Sequence, residues 1–354
     1  MNQNIFPKNF HLLEDYSKCV QCPRKCGIDR TKESAHSHAG FCRENDKIRI
    51  AVACLHFGEE PLLTVHGGSG TIFLTGCNLR CAFCQNYQIS QQGMGAEVSK
   101  SEFAEICLRL ENAGAENINL VTGSHHIPAL AEGLSEAIRQ GLKIPVCWNS
   151  SGYDDVESLK LLEGLVSIYL PDLKTLSAEL SQSLCQAKDY PEKAKEAISW
   201  MISHNPLKIV QKEKIAGTNR EKTVKDKILS GVIVRHLFLP GKFIETADVL
   251  DWLKHNADKK AIISLMSQYT PVPFKGSDEE LTKRKKALSS IENRLVNQQE
   301  DQDLRDLIEA YDFDYLFYQD LCQDTEWLPD FEKKQPFSYK LAKPVWHWKY
   351  GFIE

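Results

Sequence analysis

The chain has 354 residues, 42% of them hydrophobic and 26% charged, enough for one large core or two ordinary ones. Its 43 basic and 48 acidic side chains lack the basic bias of a nucleic-acid or anionic-membrane binder, so neither partner is expected. Twelve cysteines accompany an opening "MNQNIFPKNFHLLEDYSK" with no signal-like apolar run, and no stretch approaches the roughly 18 apolar residues of a membrane span, so a reduced, cytoplasmic protein is expected.

Residues 1–54 read as an irregular, cysteine-rich segment. Cys19, Cys22 and Cys26 fall at Cys-x2-Cys-x3-Cys, and Cys42 follows. Four thiolates can close a tetrahedral zinc site or hold an iron–sulfur cluster, and the binding energy would order a segment with little core of its own. His36 or His38 could stand in for one cysteine, and thiols with no metal role are the alternative.

From residue 55 short apolar runs alternate with amphipathic ones. Strand-like stretches at 70–76, 117–123, 144–152, 166–174, 231–241 and 260–269 precede helical patterns at 100–114, 127–141, 155–165, 189–205, 245–257 and 277–295. The runs are nearly continuous in Ile, Val and Leu, as expected of parallel strands covered on both faces. Six strand-then-helix units predict an α/β fold, its sheet open or curled into a barrel, with the chemistry on the loops that follow the strands. Those loops carry Cys77, Cys81 and Cys84; Ser124, His125 and His126; Asn149 and Ser150; Asp172 and Lys174; Arg235 and His236; and Gln268 with Tyr269. In a strand, neighbouring side chains face opposite ways, so one of Arg235 and His236 is expected to face the helices. Residues 208–227, polar and rich in lysine, read as a solvated loop or as a lid that docks an acidic partner. Residues 298–354 read as an extension packed on the core. Cys54, Cys107, Cys147 and Cys185 fall singly, which suits core packing, and Cys322 carries no signal.

"TGCNLRCAFCQNYQIS", residues 75–90, gathers three cysteines within eight positions. Polar-flanked thiols in a Gly-Asn loop have no packing reason to cluster, and three are one short of a closed zinc site. Three thiolates on an iron–sulfur cubane leave one iron free for a ligand that is not protein.

These residues carry a resemblance. Cys77-x3-Cys81-x2-Cys84, with Phe83 before the last cysteine, resembles the signature of the radical S-adenosylmethionine (SAM) superfamily. "GCNLRCAFCQN" is similar to the loop of pyruvate formate-lyase activating enzymes. With "CVQCPRKC", "HFGEEP", "WNSSGY", "YLPDLK", "VIVRHLFLPG" and "SLMSQYTPVPF", the chain resembles the uncharacterised branch homologous to those activases over residues 19–274. The resemblance implies a partial (β/α)6 TIM-like barrel over 55–297, after the cysteine-rich segment 1–54 and before the extension 298–354. It implies a [4Fe-4S] cluster on Cys77, Cys81 and Cys84, with S-adenosyl-L-methionine on the fourth iron. Phe83 would lie near the adenine, Lys174 of Asp172-x-Lys174 near the cofactor carboxylate, and Arg235 would match an arginine of the fifth strand. The activases carry Gly-Gly-Glu-Pro after the second strand, whereas this chain reads "VTGSHHIP". Amino-group recognition would then fall to backbone, Ser124, His125 or His126; Asn149 completes the expected cofactor-binding set. "HFGEEP" precedes the first strand and leaves Glu59 and Glu60 without a role.

The implied activity is reductive cleavage of S-adenosylmethionine to a 5'-deoxyadenosyl radical that abstracts hydrogen from a substrate. A glycine of a partner protein is the activase-like substrate. Modification of a peptide or small molecule, with an auxiliary N-terminal cluster, is the alternative within enzymes. A non-catalytic iron–sulfur protein that transfers electrons or scaffolds a partner is the alternative outside them. A flavodoxin or ferredoxin is the expected electron donor.

Overall fold

The computed structural model describes residues 16–32, 40–216, 221–321 and 327–354; His36, His38 and Cys322 lie outside them. Among these residues one mostly parallel sheet organises the chain. Strands β1 (Arg49–His56), β2 (Ser69–Leu74), β3 (Ala96–Glu97), β4 (Ile118–Val121), β5 (Val146–Ser150), β6 (Ile168–Pro171), β7 (Lys208–Ala216), β8 (Glu221–Leu237), β9 (Ile262–Met266), β10 (Leu316–Gln319), β11 (Ala342–His347) and β12 (Gly351–Phe352) form it. The order is β10-β9-β8-β6-β5-β4-β2-β1-β11-β12, and the sheet does not close. All neighbours from β2 to β10 are parallel, and β1 and β11 are antiparallel. The six strands expected from hydrophobic runs are β2, β4, β5, β6, β8 and β9.

Alternation decides which side chains see the inside of the curve. Trp148, Tyr169, Val234 and Ile263 pack outward into the main core, beneath the helices. Cys147, Ile168, Ile233 and Ile262 point the other way and meet Leu62 and Leu63 from the helical turn Pro61–Thr64, an apolar floor. The covering helices are α1 (Lys100–Asn112), α2 (Ile127–Arg139), α3 (Ala178–Cys185), α4 (Tyr190–His204), α5 (Phe243–Asn256), α6 (Asp278–Leu288) and α7 (Gln298–Tyr311). Ser99 caps α1 by accepting the Glu102 amide, and Ser277 and Asn297 open α6 and α7 with reciprocal capping boxes. Cys54, Cys107 and Cys147 are buried in apolar clusters, the core places read for them.

Three segments differ from the sequence reading. β1 starts at Arg49, so the boundary drawn at 54 falls inside a strand; its burial on both faces hides the alternation that marks a strand. Residues 208–216 and 221–227, read within a loop, are the paired arms of a long β-hairpin, β7 and the first part of β8. The hairpin lies against Glu116, Val65 and His66, at the entry ends of β4 and β2, so it covers the end of the barrel opposite the candidate site. The 298–354 extension reaches both edges of the sheet. β10 adds a parallel strand to β9 and β11 pairs with β1, while Phe331 and Phe337 stack on Phe73 of β2.

Candidate active site

The cysteine loop leaves β2 at the carboxyl end of the sheet and is pinned to the end of α3. Ala82 donates its amide to the Leu184 carbonyl at 2.7 Å, satisfying one of the carbonyls a helix terminus leaves free. Each sulfur of the triad has a hydrogen-bonding neighbour. The Leu79 amide reaches Cys77 Sγ at 3.3 Å, Ser90 Oγ stands 3.3 Å from Cys84 Sγ, and Cys185 Sγ stands 3.5 Å from Cys81 Sγ. The Asn86 amide adds a second bond to Cys84. The Cys185 bond, more than burial, sets the balance at Cys81 and lowers its pKa, while burial raises Cys77 and Cys84; the Lys174 ammonium favours the thiolate at all three. Among the described residues no group of three or more His, Cys, Asp or Glu side chains is gathered to hold a single metal ion. A cubane makes a different demand, with each thiolate on its own iron. Three thiols on one loop, each met by a hydrogen-bonding neighbour and all facing one cation, fit it.

Facing the loop is a buried polar network from the strand ends. Arg235 donates from Nε to Asp172 Oδ1 at 2.9 Å and from NH2 to Asn149 Oδ1 at 2.7 Å, and Lys174 Nζ reaches Asp172 Oδ2 at 2.6 Å. Burial alone would raise the Asp172 carboxyl, but Arg235 and Lys174 outweigh it and hold it below the usual range. Burial would likewise depress Lys174, yet Asp172 and Cys81 keep it raised. Tyr190, fully buried on α4, locks this corner: its hydroxyl accepts the Lys174 amide at 2.9 Å and shares its proton between the Ser151 and Asp172 carbonyls. Asn149, Asp172, Lys174 and Arg235 are thus brought together. Phe83, on the cysteine loop, is half-buried, its ring 6.3 Å from that of Tyr269.

Other candidates are placed elsewhere. Ser124 donates to Asp154 Oδ1 at 2.5 Å, and Ser150 holds the other oxygen. His125 and His126 are buried rather than solvent-exposed. His125 Nε2 donates to the Thr75 carbonyl at 2.8 Å, and His126 Nδ1 accepts from Arg30 of the N-terminal segment at 3.3 Å. His236 faces the helices, with Nδ1 at 2.6 Å from the Leu173 carbonyl and Nε2 at 2.9 Å from Thr246 Oγ1, so Arg235 is the inward member of the pair.

Three residues were not singled out from sequence. Glu59 and Glu60 reach the barrel interior from the floor segment. Glu59 stands 3.7 Å from Arg235 NH1, and burial raises both carboxyls against the pull of that arginine. The adjacency "EEP" before an apolar turn was the available signal, but a segment preceding the first expected strand gave no reason to aim it inward. Cys185 packs in the core as expected and is also the sulfur neighbour of Cys81, a contact across 104 residues that no local pattern encodes.

Residues 71–209 match the family model of the Radical SAM superfamily. An uncharacterised protein of Methanocaldococcus jannaschii is 29% identical over 312 residues, 85% of this chain and 77% of that protein. Among solved structures, SuiB of Streptococcus suis bound to its precursor peptide SuiA is similar at 12% identity and a TM-score of 0.45, covering 70% of this chain and 47% of that one. The match thus spans about half the length of SuiB. A domain of the pyruvate-formate lyase-activating enzyme from Bacteroides vulgatus is similar at 12% identity and a TM-score of 0.35, covering 55% of this chain and 91% of that one. Residues 71–209, which carry the cysteine triad and the first strands of the rim, are thus the part of the chain that matches the Radical SAM superfamily model.

Proposed function

We propose that the protein is an activase-like radical SAM oxidoreductase whose substrate is a glycine in a loop of a partner protein. The observation that carries the enzyme reading is the meeting of the triad with the Asn149–Arg235–Asp172–Lys174 network across the carboxyl end of the sheet. Cys77, Cys81 and Cys84 would hold a [4Fe-4S] cluster and leave one iron to S-adenosylmethionine, whose reductive cleavage supplies a 5'-deoxyadenosyl radical for hydrogen abstraction. Lys174 offers a cation to the cofactor carboxylate, and Asp172 and Tyr190 hold that lysine in place. Phe83 offers an aromatic face for the adenine. Ser124 would serve the amino group through its backbone, since its hydroxyl is engaged by Asp154. The partner-protein substrate is supported by the activase likeness of "GCNLRCAFCQN" and by the hairpin's place at the far end of the barrel, away from the rim.

A low-potential donor is needed, and the molecule offers it a basic surface. A cavity of about 280 Å³ beside Ala82 is lined by Arg43, Arg80, Lys275, Lys283 and Arg284, which suits an acidic protein such as a flavodoxin or ferredoxin. Cys19, Cys22, Cys26 and Cys42 would form a second metal site. Among the described residues no helix is long and apolar enough to cross a membrane.

The test is anaerobic reconstitution, reduction with dithionite, and chromatography of 5'-deoxyadenosine. Slow product in the wild type and none in Cys81→Ala is expected. No product from a fully loaded, reducible cluster, even with cell extract supplied, would sink the enzyme reading.

A further inference from the structure

The N-terminal cysteines repeat the construction of the cluster loop. Cys22 accepts the amide of Arg24 and Cys42 that of Glu44, each two residues on, as Cys77 accepts the amide of Leu79. Backbone amides aimed at sulfur are the outer contacts that orient cluster ligands, and the two groups share them. Cys19 receives the Arg30 guanidinium at 3.5 Å. Arg30 is 1% exposed, and its other bonds go to the carbonyls of Glu44, Asn45 and His125, the Gln21 amide and the His126 ring; the Glu44 carboxylate lies within electrostatic reach but bonds to Arg49 and Thr75. A buried cation needs an anion nearby, and metal-bound thiolates supply one.

This group adjoins the triad. The Cys42 carbonyl lies so close to Gly76, the residue before Cys77, that a side chain there would meet it at 2.9 Å. Arg24 donates to the Asn78 carbonyl at 2.9 Å and Arg80 to that of Phe41 at 3.0 Å. The Cys22–Cys26 and Cys26–Cys42 intervals are thus each bonded to the Cys77–Cys81 interval. Zinc is redox-silent and could pass no electron across these contacts. A zinc knuckle would also have no reason to abut a redox centre. Cys26 is exposed, which gives the group a face toward solvent, and Arg43, next to Cys42, lines the basic cavity offered to the donor.

We propose that Cys19, Cys22, Cys26 and Cys42 hold an iron–sulfur cluster that relays electrons to the cluster of the triad. The proposal rests on the radical SAM reading for its acceptor. One electron enters from a reduced flavin or iron–sulfur protein and one leaves to the triad's cluster; no bond breaks and no proton moves in the transfer.

Two measurements on the full chain test it without relying on S-adenosylmethionine turnover. First, the variant Cys77→Ala/Cys81→Ala/Cys84→Ala is reconstituted with iron and sulfide and assayed for metals and by EPR after reduction. About half the wild-type iron and a reducible cluster signal are expected. Zinc, or no metal, in a folded variant overturns the proposal. Second, Cys26→Ser, which alters an exposed residue and opens no core, and Cys42→Ser are loaded at the triad, and reduction by a protein donor is followed by stopped flow. The rate is expected to fall at least about tenfold while the triad's cluster remains EPR-visible. A wild-type rate overturns the relay even if the cluster is present. Loss of 5'-deoxyadenosine with both metal results intact would instead count against the radical reading alone.

Discussion

Cys185 stands 3.5 Å from Cys81, sulfur to sulfur, at the last residue of the helix whose terminal carbonyls also pin the cysteine loop. With a cluster on the triad Cys81 is a thiolate and Cys185 must be the donor between them; Cys185→Ala then removes that donor while the loop stays anchored through Leu184. A donor stabilises the more negative, reduced cluster most. The midpoint potential should therefore move negative by the worth of one hydrogen bond, about 1 kcal/mol or roughly 40 mV for one electron. Potentiometric titration followed by EPR reads this directly, and an unchanged or more positive midpoint would show that Cys185 does not donate to Cys81.

Arg235 serves two acidic groups from different ends of the barrel, Asp172 at the rim and Glu59 from the floor. Removing it strands buried negative charge. Arg235→Met should cost about 3–5 kcal/mol in denaturant unfolding, beyond any loss of cofactor binding. Adding Glu59→Gln should recover part of that cost, because the second change removes one of the stranded charges. Additive losses in the double variant would mean the two side chains do not interact.

His236 is buried and held as neutral imidazole, proton on Nδ1 toward Leu173 and Nε2 accepting from Thr246. Burial pushes its pKa down to about 4 from the ordinary 6.5. The unfolded chain thus binds a proton between these values that the folded chain refuses, so stability is lost as pH falls from 6.5 toward 4, by roughly 1.4 kcal/mol per pH unit for this group. Burial likewise pushes His125 down to about 3 and adds to the same trend. Urea midpoints measured at pH 7 and pH 5 should fall with acidity in the wild type and fall less in His236→Gln. Parallel slopes would assign the acid sensitivity elsewhere.

The β7–β8 hairpin is tied to the barrel floor by Glu116, which takes Lys212 at 2.5 Å and Lys227 at 2.9 Å. Glu116→Gln should cost about 1–3 kcal/mol, because Glu116 is buried and Lys227 nearly so, while Lys212 is more exposed. It should leave 5'-deoxyadenosine formation unchanged, since the hairpin lies opposite the rim. A variant that bound cofactor normally but lost turnover would tie this hairpin to catalysis.

Local pattern carried much of this protein into view. Six parallel strands were legible because each is buried on both faces and reads as a continuous aliphatic run. The triad was legible because a loop that holds a cluster concentrates its ligands within one turn of chain. The inward aim of Arg235 rather than His236 was not, because alternation says only that neighbours face opposite ways. The hairpin was missed because its arms are polar on both faces, and only pairing of one arm with the other makes them strands.

By itself, then, the sequence determined the strand–helix alternation, the cysteine loop and the residue types at the strand ends. These depend on side-chain period and short spacing, which a chain carries whether folded or not. Tertiary structure alone decided that Glu59 rises from the floor to meet Arg235, that Cys185 reaches Cys81, and that Cys42 abuts Gly76. Each joins residues separated by tens to hundreds of positions, and curling the open sheet around a buried interior is what brings their charges and sulfurs within reach.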